Sequence, residues 1–273
     1  MTSRTSRQAG FCLQAHGASH PGLARENNED AFAVLPRPGL FMVADGIAGA
    51  AAGEVASQIT IDVIPGLLQE KLSALRSNAA RERVEAAVRQ AMQEVNDALV
   101  AAARKRPDVG AIGTTLVVAL CWRDSMLISH LGDSRAYLHR GSALTPLTED
   151  HALAAQLVRW GKLTARQAEE NPGRSTLLRY LGAEGELQPD FRWIRPRPKD
   201  RLLLCTDGLT GMLEQEAIQV IMESYPGPAH CCDALISRAN QAGGKDNITV
   251  VVVHFLYVEQ QAAYGQPATR KRP

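Results

Sequence analysis

Five short stretches put carboxylates where apolar runs stop or start. FMVADG ends at Asp45 and Gly46, ISHLGD at Asp133, LLLCTDG at Asp207 and Gly208, and GGKDN at Asp246 and Asn247, while NNED sets Glu29 and Asp30 just before another apolar run. Any one Asp-Gly pair is ordinarily a turn, because Asp, Asn and Gly favour turn geometry. As a set they read differently. If the runs are strands sharing one edge, their terminal carboxylates converge, and uncompensated like charges that close cost several kcal/mol in repulsion and lost hydration. Hard divalent cations remove that cost, and oxygen-only donors without His or Cys select Mg2+ or Mn2+ over Zn2+ or copper. Two such ions about 3.5–4 Å apart can share a water, lower its pKa and hold both oxygens of an in-line phosphoryl displacement. A glycine after Asp45 lets the backbone come close to such an ion.

The ordered set resembles a known family. Arg25 followed by Asn28-Glu29-Asp30, VADG at Asp45, GTT from Gly113, GDSR at Asp133, TDGL at Asp207 and KDNIT at Asp246 look like the motifs of the PPM, or PP2C-type, metal-dependent serine/threonine protein phosphatases in their compact bacterial form. The resemblance covers about residues 10 to 257. It implies an α+β fold, a four-layer α-β-β-α sandwich of two antiparallel sheets flanked by helices, with two Mn2+ or Mg2+ ions at one end. By position Asp45 resembles the bridging ligand, the Gly46 carbonyl a ligand of one metal, and Asp207 and Asp246 ligands of the other. Glu29 and Asp30 match residues that hold metal-bound waters, and Asp133 the ligand of a third, weaker metal that shares Asp207. Arg25 matches the arginine that grips the substrate phosphate, as a guanidinium forking onto two oxygens would. About His151 to Gly182 matches a flap beside the active site that affects substrate choice. The implied reaction is hydrolysis of phosphoserine and phosphothreonine in proteins by a metal-bridging hydroxide, with a cognate serine/threonine kinase as partner.

The chain departs from that pattern after Asp45. The family often reads DGMGG followed by a histidine proposed as general acid; here the run is DGIAGA, with Ile47 and Ala50 where the histidine is sought. General acid catalysis is worth roughly 10²–10⁴-fold, so activity on poor leaving groups is expected to be low unless water donates the proton. His16, His20 and His151 are candidate substitutes. The same departure at Ile47, Ala48 and Ala50 admits a second reading, a pseudophosphatase scaffold that binds phosphoproteins without turnover. Two decoys are weighed against chemistry. Cys232 and Arg238 have the C-x5-R spacing of cysteine phosphatases, but DALIS between them has no glycine and a helical pattern. Ser134 lies one residue from a nucleophile elbow, which should lead from strand into helix, whereas SRAYLHRG reads as a strand.

These side chains need a scaffold, and the apolar runs supply one. FCLQAHG, DAFAVL, LFMVAD, TTLVVALCW, SMLISHLG, SRAYLHRG, RLLLCTD and NITVVVVHF read as strands. Helical spacing runs from Gly53 to about Leu72, from Ala79 to about Lys105, across His151 to Glu170 as two short helices broken at Gly161, and from about Glu214 to Glu223 and Ala229 to Gln241. Strands separated by two long helices suit a layered α+β sandwich. The 273 residues read as one domain over 10–258, with aperiodic tails at 1–9 and 259–273. Thirty Lys and Arg balance twenty-nine Asp and Glu, which argues against nucleic acid or an anionic membrane as partner. The longest apolar runs fall short of the roughly 20 residues that span a bilayer. Five cysteines without a C-x-x-C pair fit a reducing cytoplasm, and a monomer is expected.

Overall fold

The computed structural model describes residues 4–8, 11–47, 52–76, 78–105, 112–169, 171, 173 and 175–257. The chain opens with strands β1 (Arg4–Gln8), β2 (Phe11–His20), β3 (Asp30–Leu35) and β4 (Leu40–Ile47). Two long helices follow, α1 (Ala52–Ser73) and α2 (Arg81–Lys105), and then β5 (Gly113–Thr114), β6 (Leu116–Trp122), β7 (Ser125–Leu131), β8 (Arg135–Arg140) and β9 (Ala143–Pro146). Short helices α3 (Leu153–Arg159) and α4 (Ala165–Glu169) precede β10 (Asp190–Ile194) and β11 (Arg201–Cys205). The chain closes through α5 (Asp207–Thr210), α6 (Gln215–Ser224), α7 (Pro228–Gln241) and β12 (Ile248–Tyr257).

Two antiparallel sheets form, one ordered β1-β2-β12-β11-β8-β9 and the other β10-β7-β6-β4-β3, with β5 paired to the end of β4. The period of two along each strand sorts its side chains between layers. On β4, Phe41 and Val43 face the other sheet and meet Leu202, Leu204, Val251 and Val253. Leu40, Met42 and Ala44 face the opposite way and pack on Ile61, Ile64, Val88, Met92 and Val95 of α1 and α2. On the far side, Leu203, Cys205, Val250 and Val252 pack on Met222, Cys231, Cys232 and Leu235 of α6 and α7. Helices on both outer faces explain why the central antiparallel strands β4, β6, β11 and β12 carry long apolar runs where such strands commonly alternate apolar with polar. The four-layer α-β-β-α sandwich is thus observed.

Elements the sequence pattern did not mark are short or lie at edges. The N-terminal stretch 1–9, expected to be a tail, contributes β1, which pairs with β2 from Arg4↔Ala15 to Gln8↔Phe11. Its period is hidden because an edge strand needs only main-chain pairing. β10, in the charged run DFRWIRPRP, is an edge strand too, paired to β7 alone. The C-terminal stretch 259–273 lies outside the described residues, as do Ala48 and Ala50. Among the described residues no helix is long and apolar enough to cross a membrane, and all five cysteines are free.

Three positions test how tightly the scaffold is packed. A Cβ on Gly208 would lie 1.8 Å from the Asn247 carbonyl oxygen, whereas one on Gly66, in α1, would meet nothing within 4 Å. Gly208→Ala is expected to destabilise by about 3 kcal/mol, the upper end for overpacking, and Gly66→Ala to stabilise by roughly 0.5–1 kcal/mol through helix propensity; urea denaturation of both variants should give opposite signs. Buried His254 is the third position. Its Nε2 has no hydrogen-bond partner, and burial, with Arg201 and His139 nearby, pushes its pKa down to about 3. The unfolded chain takes up this proton below about pH 6.5 while the native state does not. Stability from this group is therefore complete above pH 6.5 and is lost as the pH falls toward 3. His254→Leu should lose less stability than the parent between pH 7 and pH 5 in the same denaturation experiment; equal losses would refute the assignment.

Candidate metal centre

All eight residues singled out in the sequence come to one end of the sandwich. Asp30 opens β3 directly across from Asp45 near the end of β4, in the pairing Asp30↔Asp45. Asp133 sits in the turn between β7 and β8, Asp207 at the first position of α5 after β11, and Asp246 just before β12. A cleft of about 450 Å3 is lined by Arg25, Glu29, Asp45, Gly46, Asp133, Asp207 and Asp246. Asp30 lies beneath it, with Oδ2 accepting from Thr206 Oγ1 at 2.8 Å. Its other oxygen, Oδ1, is buried without a hydrogen-bond partner.

Hydroxyls and an amide to which the sequence reading gave no positioning role hold these carboxylates in place. Thr206 Oγ1, while donating to Asp30, accepts from Thr249 N at 3.0 Å and so joins β11 to β12 beneath the site. Thr115 Oγ1 accepts from Asp45 N at 3.0 Å and lies 2.7 Å from Ser134 Oγ, linking β4 to the turn of Asp133. Asn247 is a clamp: Oδ1 accepts from Glu29 N at 2.8 Å, and Nδ2 donates to the carbonyls of Pro21 at 3.0 Å and Asn27 at 2.8 Å. It thereby fixes the loop that carries Arg25 and Glu29. The available signal was placement, since Thr206, Asn247 and Ser134 each adjoin one of the aspartates and Thr115 ends GTT.

The electrostatics follow from crowding. Burial, and then the charges of Asp30, Asp207 and Asp133, raise Asp45 well above the usual carboxylate range, and it shares a hydrogen bond with Asp207. Burial likewise lifts Asp30 to about 7 against the opposing hydrogen bonds from Thr249 and Thr206. Asp133 is lifted to about 7 by burial and by Asp207 and Asp150, and Asp207 is raised by burial and by Asp246. Without a cation the cluster keeps protons near neutrality that isolated carboxylates would lose. An all-oxygen donor set with one buried oxygen left unpaired fits a hard divalent cation and its waters. Arg25 is largely exposed at the rim, where Nη2 donates to Asp246 Oδ2 at 2.9 Å.

The remaining candidates lie elsewhere. Neither His16, His20 nor His151 lines the cleft, whereas Ile47 does. His20 Nδ1 accepts from Gly22 N at 2.9 Å. His151 is buried, and burial with His130 beside it pushes its pKa down to about 4. Cys232 lies in α7 within the outer core, and burial raises its thiol pKa, so it is no nucleophile. Ser134 is buried in a turn between two strands and bonded to Thr115, which removes the elbow geometry.

Residues 17–244 match the family described as Protein phosphatase 2C. The serine/threonine phosphatase stp of Listeria monocytogenes serovar 1/2a is 36% identical over 244 residues, which are 88% of this chain and 95% of the relative. PstP of Mycobacterium tuberculosis is 37% identical over 254 residues, 93% of this chain but 46% of that longer protein. The crystal structure of M. tuberculosis PstP/Ppp superposes with a TM-score of 0.78 at 35% identity, covering 90% of this chain and 99% of that one. The PstP catalytic domain in complex with two manganese ions gives 0.74 at 33% identity, over 89% and 98%. By sequence and by fold, the chain belongs to the protein phosphatase 2C family.

Proposed function

We propose that this chain is a metal-dependent phosphatase of phosphoserine and phosphothreonine in proteins, with residues 10–258 as its catalytic unit. The observation that carries the reading is the single cleft that gathers Asp45, Asp133, Asp207 and Asp246 under the exposed guanidinium of Arg25. Asp45, the Gly46 carbonyl, Asp207 and Asp246 would hold two Mn2+ or Mg2+ ions, Asp133 with Asp207 a third, and Glu29 and Asp30 their waters. Bound there, such ions supply charge neutralisation and an activated water. Arg25 orients the phosphate by donating to two of its oxygens, for which it must leave Asp246. With Ile47 at the cleft wall, no side chain among the described residues lining the cleft offers an imidazole for the leaving alkoxide, so solvent delivers that proton.

A polypeptide suits the surroundings. The cleft opens into a groove of about 830 Å3 walled by Tyr137, Pro146, Ala152, Ala155 and Val158, room for residues flanking a phosphorylated side chain. The alternative of a phosphoprotein-binding scaffold without turnover is disfavoured by the intact carboxylate set and by relatives named as phosphatases. A monomeric, cytoplasmic enzyme opposed to a serine/threonine kinase completes the proposal.

Activity on p-nitrophenyl phosphate and on a phosphothreonine peptide should require Mn2+, vanish with EDTA and fall at least 10²-fold in Asp207→Asn. Hydrolysis that survives chelation would sink the mechanism, and release no faster than that of an Asp45→Ala variant would favour the binding scaffold. The raised carboxyl pKa values give a second test. In the metal-free protein they stabilise the fold fully below about pH 4, and the gain is lost as the pH rises through about 7. Mn2+ binding must displace the retained protons. Calorimetric titration at pH 6.5 in buffers of different ionisation enthalpy should register net proton release, and the Mn2+-induced rise in Tm should be larger at pH 8 than at pH 6; no buffer dependence would refute it.

A further inference from the structure

Away from the cleft, His130, His151 and Asp190 bring three ligand-type atoms within 4.8 Å of one another. Their hydrogen bonds leave no room for an ion. Gly132 N–H donates to His151 Nδ1 at 3.3 Å, which puts the ring hydrogen on Nε2, facing Asp190 Oδ2 at 3.2 Å. His130 Nε2 donates to the Glu149 carbonyl at 2.8 Å, and the two imidazoles stack with centroids 4.3 Å apart instead of converging. Arg179 Nη1 fills the remaining space, 3.0 Å from Asp190 Oδ1 and 3.3 Å from His151 Nε2. The group is a clasp, and its centre is His151.

What the clasp joins is specific. His151 N donates to the Gly132 carbonyl at 3.0 Å, so main chain and ring together grip the residue preceding Asp133. Gly132 has φ of +103°, and a Cβ there would strike Thr115, so this turn has little freedom of its own. On its other side, the His151 carbonyl accepts from Leu178 N at 2.7 Å, and Ala152 bridges to Leu177. The start and the return of the 151–182 segment therefore meet at this histidine. Ser175 and Leu177 of that segment line the same cleft as Asp133.

We propose that His151 is a positioning residue that locks the turn of Asp133 to the 151–182 segment, so that the carboxylate and the cleft wall formed by Ser175 and Leu177 move as one unit. The proposal rests on the assignment of Asp133 to the weakest metal position. It predicts that filling this position stiffens the segment and that loosening the segment weakens the ion.

The test uses the full chain, Mn2+ calorimetry and amide hydrogen exchange. His151→Gln can still reach Asp190 but offers Gly132 no acceptor; His151→Asn presents an oxygen where Nδ1 stood. The glutamine variant should weaken at least tenfold the Mn2+ step that Asp133→Asn abolishes, leave the tighter steps unchanged, and speed metal-free exchange at both 130–135 and 175–181. The asparagine variant should restore the Mn2+ step and the protection of 130–135. In the unmutated protein, Mn2+ that saturates the weakest step should slow exchange at 175–181, and Asp133→Asn should abolish that slowing, a readout that stands even if His151→Gln fails to fold. Faster exchange in only one segment, or an unchanged Mn2+ step in the glutamine variant, would overturn the proposal. If Asp133→Asn removes no Mn2+ step, the metal assignment fails by itself, and paired exchange of the two segments decides the role of His151.

Discussion

Half-buried carboxylates converging from β3, β4, the β7–β8 turn, α5 and the loop before β12 repel one another, and the architecture around them answers that repulsion. At an effective dielectric near 20, two unit charges 4 Å apart cost about 4 kcal/mol, comparable with much of a domain's net stability. Without cations, retained protons on Asp30, Asp45 and Asp133 relieve the cost. In the proposed metal-bound state the same geometry becomes a binding site. On that reading, destabilising the metal-free state is the source of affinity, because the ions would meet carboxylates already gathered and partly stripped of water.

Keeping such groups together demands rigid neighbours that carry no charge. Thr115, Ser134, Thr206, Thr249 and Asn247 serve this purpose: each is buried, and their hydrogen bonds run between loops distant in sequence. Hydroxyls and amides fix position without adding to the repulsion, which a lysine or glutamate there would alter. Arg25 is the exception. Exposed and paired with Asp246, it is not locked into the core, which suits the proposed exchange of that carboxylate for a phosphate.

Most of this was legible in the sequence for physical reasons. An aspartate bounding an apolar run is visible because hydrophobic periodicity stops or starts there; Asp45 and Asp207 were readable as ends of such runs and Asp246 as the start of one. The sandwich was legible because LFMVA and LLLC, the runs that precede Asp45 and Thr206, are apolar at every position, which requires cover on both faces. The edge strands β1 and β10 were not, since an edge need not bury both faces and leaves a weaker pattern. The threonine and asparagine clamps escaped notice because polar residues beside a turn have many ordinary uses, and only tertiary contact separates a clamp from a surface side chain. His151 was read as a possible proton donor; the fold buries it on the other side of the Asp133 turn, where its hydrogen bonds hold rather than transfer.

The alternation along β4 has a bearing on fidelity. Phe41 and Val43 fill one core while Leu40, Met42 and Ala44 fill another, and Asp45 is the next residue in that sequence of faces. A slip of one residue against β3 or β6 would turn every one of these side chains into the wrong layer and bring Ala44 or Gly46 opposite Asp30. The two cores thus act as a gauge for the catalytic end: apolar packing, indifferent to metals and phosphate, rejects any register in which the charges would be misplaced, and the chemistry inherits its accuracy from oil-like contacts up to five residues away.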